Sequence, residues 1–237
     1  MPLPKLNSGP KYQLEIPSSG MQVKYRPFLM KEEKSLLIAM ESNDNTVILN
    51  TLIDTIKECV DDEIRATELT SFDVEFMFLQ IRSKSVGETA DIGINCSHCE
   101  SLNKITIKLD DIKIDIPEIE KTIKLDDHIT LEVDYPTFHD LINSGLLASG
   151  TPNTEQIFTL MNYCFKSITT DTEKINLRDV SKAELQEFID SMNGNQFGKI
   201  REFIESIPKL QHEFKFKCSK CKKENNQIVE GIANFLG

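Results

Sequence analysis

Cys96 and Cys99 form one Cys-x-x-Cys pair and Cys218 and Cys221 a second, within Asn95-Cys96-Ser97-His98-Cys99-Glu100 and Lys217-Cys218-Ser219-Lys220-Cys221-Lys222. A turn with this spacing aims two sulfurs and several backbone N–H groups at one point. Two such turns supply the four thiolates of a closed, tetrahedral zinc site. The expectation is one structural zinc per chain held by Cys96, Cys99, Cys218 and Cys221. Three rival chemistries stand beside it. Disulfides require an oxidising compartment, a thioredoxin-type redox pair ordinarily opens a helix after a strand, and a degenerate ribbon would bind no metal. Zinc knuckles often carry Gly directly after the second cysteine, where a left-handed backbone lets N–H groups reach sulfur, but Glu100 and Lys222 occupy those positions.

The neighbouring side chains have plainer readings. Lys215, Lys217, Lys220, Lys222 and Lys223 crowd the second pair. Four thiolates around a divalent zinc leave a local charge of about −2, which ammonium groups offset. This compensation is favoured over a nucleic-acid contact, because only Phe214 and Phe216 offer a stacking surface. His98 lies between two thiols and is expected to be exposed, whereas Cys59 and Cys164 fall among apolar residues and read as buried small hydrophobes. Asp110-Asp111 and Asp126-Asp127 sit where turns favour Asp for backbone reasons.

Both cysteine pairs must be held by strands, since residues 89–94 and 104–109 flank the first with period-two alternation and 212–216 and 227–229 flank the second. Further strands are expected at 21–25, 112–116, 121–125 and 129–133. Helical periodicity appears at 31–41 and 45–60, and Ser71 reads as the cap of a buried helix beginning at Phe72. More helices are expected at 137–147, 154–167, 181–192 and 196–207, the third opened by the capping box Ser181-Lys182-Ala183-Glu184. The fold class is therefore α+β, with helical N-terminal and C-terminal regions around a small antiparallel β region carrying a split four-cysteine zinc ribbon. Its parts are an extended arm (1–20), an N-terminal helical region (21–88), a β region with the first knuckle (89–135), a C-terminal helical region (136–210), and the second knuckle with an apolar tail (211–237). A zinc shared between the knuckles is expected to fasten both halves into one unit.

The chain has 237 residues, with 27 Lys+Arg against 38 Asp+Glu and a net charge of −11. An acidic balance argues against sequence-independent binding of nucleic acid, which needs clustered cations. The longest apolar run, Leu36 to Met40, is far below the ~20 residues that span a bilayer. The Pro-rich first 20 residues carry no secretory pattern, so a cytosolic location is expected. The four histidines, His98, His128, His139 and His212, pair with no evident nucleophile, and there is no phosphate-cradling glycine loop or hydrolase elbow. An enzyme is not expected.

The segment Tyr25-Arg26-Pro27-Phe28-Leu29-Met30-Lys31-Glu32-Glu33-Lys34-Ser35-Leu36-Leu37-Ile38-Ala39-Met40 resembles a family of contractile-tail bacteriophage proteins related to the baseplate hub and hub-assembly proteins of T-even-type phages. The likeness continues through Phe188-Ile189-Asp190, Gln196-Phe197, Ile200, Phe203-Ile204, Ile207-Pro208-Lys209-Leu210, His212, the second cysteine pair and the tail from Gly231 to Leu236. It covers roughly residues 20–237. The resemblance implies a non-enzymatic protein of the phage baseplate hub, built into the particle or chaperoning hub components, with hub, spike or tail proteins as partners. It also implies residence in the host cytoplasm and then in the tail baseplate. A zinc-ribbon factor binding nucleic acid or serving transcription is the alternative. Lys31-Glu32-Glu33-Lys34 reads either as the solvated first turn of a helix or as a partner contact.

Overall fold

The computed structural model describes residues 9–112, 114–144 and 154–231. The chain is α+β, with seven α-helices and ten strands among those residues and every sheet antiparallel. It forms two compact units, not the single fastened unit expected. The first joins Met1–Asp115 to Lys209–Gly237, and the second is the insertion Ile116–Pro208. Both cysteine pairs belong to the first unit, so the helices between them build a core of their own.

In the first unit, β1 (Tyr12–Glu15) pairs with β2 (Gln22–Tyr25). Part of the expected arm is thus a hairpin, because the alternation of Leu14 and Ile16 buries both side chains and the Tyr12 ring packs 5.6 Å from that of Tyr25. Residues 1–8 lie outside the described residues. Helices α1 (Met30–Glu41), α2 (Asn45–Cys59) and α3 (Ser71–Ser85) follow. Asp44 caps α2 by accepting from the Thr46 and Val47 N–H groups. The cap of α3 is Thr70, one residue before the expected Ser71. Its hydroxyl accepts from the Asp73 N–H, while the fully buried Asp73 carboxylate accepts from the Thr70 N–H at 2.9 Å and the Ser18 N–H at 2.8 Å. Asp73 therefore ties the β1–β2 turn to α3. Phe72, Met77, Leu79 and Ile81 of α3 are fully buried, as are Ile56, Leu109, Ile112 and Leu210. A helix apolar on nearly every side is a core helix.

The Lys31–Lys34 segment is neither a wholly solvated turn nor a free surface. Glu32 is buried, pairs with Arg26 at 2.8 Å and accepts from the Leu29 N–H at 2.8 Å, while Arg26 also donates to the Glu58 carbonyl of α2. Burial pushes the Glu32 carboxyl up, but Arg26, the Leu29 N–H and Lys31 together outweigh it and hold it below the usual carboxylate range. This part of the motif locks the start of α1 onto α2.

Two seven-residue hairpins complete the unit. Strands β3 (Thr89–Asn95) and β4 (Leu102–Lys108) flank the first cysteine pair. Their counterparts at the second pair are β9 (Gln211–Lys217) and β10 (Glu224–Glu230). The alternation at 112–116 forms no strand among the described residues. A short 3-10 turn, Leu109–Asp111, buries Leu109, and Pro117 follows before any neighbouring strand is met.

In the second unit, β5 (Thr122–Lys124), β6 (Thr130–Val133), β7 (Phe165–Thr169) and β8 (Lys174–Asn176) form a four-stranded sheet in sequence order. Helix α4 (Phe138–Asn143) follows β6, α5 (Thr154–Cys164) leads directly into β7, and α6 (Lys182–Asp190) and α7 (Gly194–Glu205) follow β8. The expected helix at 154–167 stops at Cys164, because Phe165 and Ser167 pair with Val133 and Glu132 of β6. Tertiary pairing overrides the helical continuation there. The expected helix at 137–147 is observed only over Phe138–Asn143, with Ser144 as its C-cap, and 145–147 lie outside the described residues. Leu131, Phe138, Met161, Cys164, Ile200 and Phe203 are buried in this unit, with Phe203 stacked 5.9 Å from Tyr135. Asp126 accepts from the His128 and Ile129 N–H groups at 2.8 and 2.7 Å, the backbone role expected of a turn Asp.

Candidate metal centre

Each hairpin brings its cysteine pair to its tip in the same way. The Cys96 N–H donates to the Ser101 carbonyl at 3.0 Å and the Cys218 N–H to the Lys223 carbonyl at 2.9 Å, closing the two loops. The Glu100 N–H donates to Cys96 O and the Lys222 N–H to Cys218 O. Glu100 and Lys222 have φ of 58° and 61°. The left-handed turn that glycine would occupy is thus adopted by two side-chain-bearing residues, at a cost of about 1–2 kcal/mol each.

The four sulfurs lie within 4.8 Å of one another, and all six cysteines are free. Cys96 Sγ lies 3.7 Å from Cys221 Sγ, and Cys99 Sγ lies 3.7 Å from Cys218 Sγ. A tetrahedron with metal–sulfur bonds of about 2.3 Å has edges of about 3.8 Å. Both short edges join the first cysteine of one knuckle to the second of the other, so neither hairpin holds the cluster alone. Cys96 and Cys218 are almost wholly buried, and Cys99 and Cys221 are half-buried. Among the described residues no other group of three or more His, Cys, Asp or Glu side chains converges in this way.

Donors surround the sulfurs. The His98 N–H points to Cys96 Sγ at 3.4 Å and the Cys221 N–H to Cys218 Sγ at 3.5 Å. The Ser101 hydroxyl sits 3.1 Å from Cys99 Sγ and 3.2 Å from Cys218 Sγ. With the Ser101 hydroxyl as the largest cause and the Cys221 N–H next, Cys218 is pulled down to about 5. Ser101 also lowers Cys99. At Cys221 the Lys223 N–H acts downward, but burial and the neighbouring thiols outweigh it and raise the group to about 11. A sulfur cluster so arranged is chemically suited to a cation that replaces the remaining thiol protons. Cys59 and Cys164 behave as expected, burial pushing their thiols up to about 11 and about 12. His98 is exposed, as are Lys215, Lys217, Lys220, Lys222 and Lys223.

Two residues at the centre were missed by attention to cysteine alone. Asn103 and Asn225 are 5% and 3% exposed, and each amide oxygen accepts from the serine after the first cysteine of the opposite knuckle. The signal was present in the sequence. Cys96-Ser97-His98-Cys99-Glu100-Ser101-Leu102-Asn103 and Cys218-Ser219-Lys220-Cys221-Lys222-Lys223-Glu224-Asn225 share the pattern Cys-Ser-x-Cys-x-x-x-Asn.

Neither a curated protein nor a solved structure gives a significant match to the chain. A family model described as T4 bacteriophage base plate protein matches residues 9–237, spanning both hairpins, the inserted unit and the tail. The chain therefore belongs to the T4-type phage base plate protein family.

Proposed function

We propose that this protein is a non-enzymatic hub assembly or structural component of the phage baseplate, and that Cys96, Cys99, Cys218 and Cys221 bind one structural zinc per chain. The observation that carries the reading is the family match over residues 9–237, which contains the whole four-sulfur cluster. A tetrahedral all-sulfur donor set suits zinc, and four protein ligands leave no open position for a substrate. Bound there, zinc supplies a cross-link between the two hairpins. The chain's own groups orient the thiols and stabilise their charge through the His98 and Cys221 N–H groups and the Ser101 hydroxyl.

His128 contacts Asp171, His139 contacts Asn143 and His212 stacks on Phe214. Contact-making is supported by the exposed Met30, Leu37, Ile38 and Met40 of α1. The partners proposed are hub, spike or tail proteins, met in the host cytoplasm and retained in the particle. Affinity purification from infected cells should recover hub or spike proteins together with one zinc per chain by elemental analysis. Normal baseplates assembled without the gene would overturn the assembly role, and a metal-free chain purified without chelator would overturn the zinc. The five exposed lysines at the second knuckle, which form no ion pair among the described residues, favour nucleic-acid binding as a second reading. That reading requires an affinity falling steeply with salt.

A further inference from the structure

We infer that Asn103 and Asn225 are the positioning residues of the four-thiol centre, each holding the opposite knuckle so that the sulfurs converge before a metal arrives. The inference rests on the zinc reading only for its effect on metal affinity. The hydrogen bonding itself is independent of the ion.

The two amides accept from the opposite knuckle in the same crossed manner, and Asn103 Nδ2 also reaches Cys218 Sγ at 3.7 Å. Asn103 Nδ2 donates to the Ser101 carbonyl of its own loop at 2.8 Å, while its Oδ1 accepts from the Ser219 N–H at 2.8 Å and the Ser219 hydroxyl at 2.9 Å. Asn225 Nδ2 donates to the Lys223 carbonyl of its own loop at 3.1 Å, while its Oδ1 accepts from the Ser97 N–H at 2.9 Å and the Ser97 hydroxyl at 2.8 Å. This arrangement also sets the orientation of each amide, since the reverse would put an NH2 group against an N–H. Ser97 and Ser219 directly follow Cys96 and Cys218, so each crossed bond acts one residue from a sulfur-bearing position.

Asparagine is the side chain this geometry requires. Both positions are nearly devoid of solvent, so an unpaired amide end there would be costly. Aspartate has the acceptor but lacks the donor for its own loop carbonyl, and it would add negative charge beside four thiolates. Alanine lacks both. The carbonyls that receive Nδ2 also close the loops through the Cys96 and Cys218 N–H groups. Each asparagine therefore joins the closure of its own knuckle to the placement of the other. Partners of this kind, one shell outside a metal's ligands, typically change affinity 10- to 100-fold when removed.

The test uses the full chain. Zinc affinity is measured by competition with a chromophoric chelator, and amide exchange at Ser97 and Ser219 is followed by NMR in the reduced, zinc-free protein. Asn103→Ala should weaken zinc binding about 10- to 100-fold and remove protection at Ser219 while sparing Ser97, and Asn225→Ala should do the mirror image. Asn103→Asp and Asn225→Asp keep the acceptor, so protection of the opposite serine should survive in them even if the alanine variants fail to fold. Ile92→Val, a core change in the same hairpin, should leave zinc affinity within about twofold of wild type if positioning is specific to the amides. Zinc affinity within twofold of wild type in both alanine variants, or protection lost in a variant's own loop instead of the opposite one, would overturn the inference. If the wild-type chain binds no zinc, the metal reading fails, whereas the crossed exchange pattern still decides the clamp.

Discussion

If the four thiols hold the proposed zinc, removing it should loosen the first unit and leave the second standing. An ion held by the four thiolates would join Cys99 to Cys218 across a sequence separation of 119 residues. In a fully unfolded chain, closing a loop of that length costs about 5 kcal/mol in the chain-entropy estimate used for cross-links. If the inserted unit Ile116–Pro208 stays folded, only roughly 25 residues between the knuckles are flexible and the cost falls to about 3.5 kcal/mol. The folded site should therefore bind metal more tightly than the same four thiols in the unfolded chain by about 3.5–5 kcal/mol. With saturating zinc, that difference appears as stability. The assay is urea unfolding of the reduced protein with excess zinc or with chelator, followed by hydrogen exchange resolved to α3 and β3 in the first unit and to β6 and β7 in the second. Chelation should lower the stability reported by α3 and β3 by this amount and leave the β6 and β7 amides unchanged. A change below about 1 kcal/mol in the first unit, or equal loss of protection in both, would refute the reasoning.

Three other outcomes follow from particular residues. Glu100→Gly and Lys222→Gly relieve the left-handed strain but add unfolded-state entropy, so each should raise stability by about 0.5–1 kcal/mol in thermal melts, and a loss of stability would show that these side chains make contacts worth more than the strain. Glu32→Gln leaves Arg26 half-buried without its charge partner and should destabilise the first unit by about 3 kcal/mol. Because the folded Glu32 carboxyl lies below its ordinary value of 4.5, its contribution is present above that pH and is lost as pH falls through the folded value. Wild type should consequently lose its advantage over Glu32→Gln in acid denaturation below about pH 4.5, and parallel pH profiles would exclude this role. Phe203→Ala, which removes a buried ring stacked on Tyr135, should cost the second unit about 3–5 kcal/mol while zinc per chain stays unchanged by elemental analysis.

By itself the sequence determined which four thiols come together and most of the elements around them. Cysteine spacing and alternating flanks are local properties, so the two hairpins, the α+β class and the left-handed demand at Glu100 and Lys222 were all legible from neighbouring residues. The same locality explains the cap at Ser181 and the buried face of α2. Tertiary structure decided whatever depends on a distant partner. Phe165 leaves a helical pattern because β6 offers it a strand, and the alternation at 112–116 stays unpaired because none does. Glu32 is a buried ion-pair partner only because Arg26 and α2 meet it. The repeated Cys-Ser-x-Cys-x-x-x-Asn pattern was written in the chain, but its meaning was not. A polar side chain's role is set by which donors and acceptors surround it once water is gone, and those of Asn103 and Asn225 come from opposite ends of the sequence.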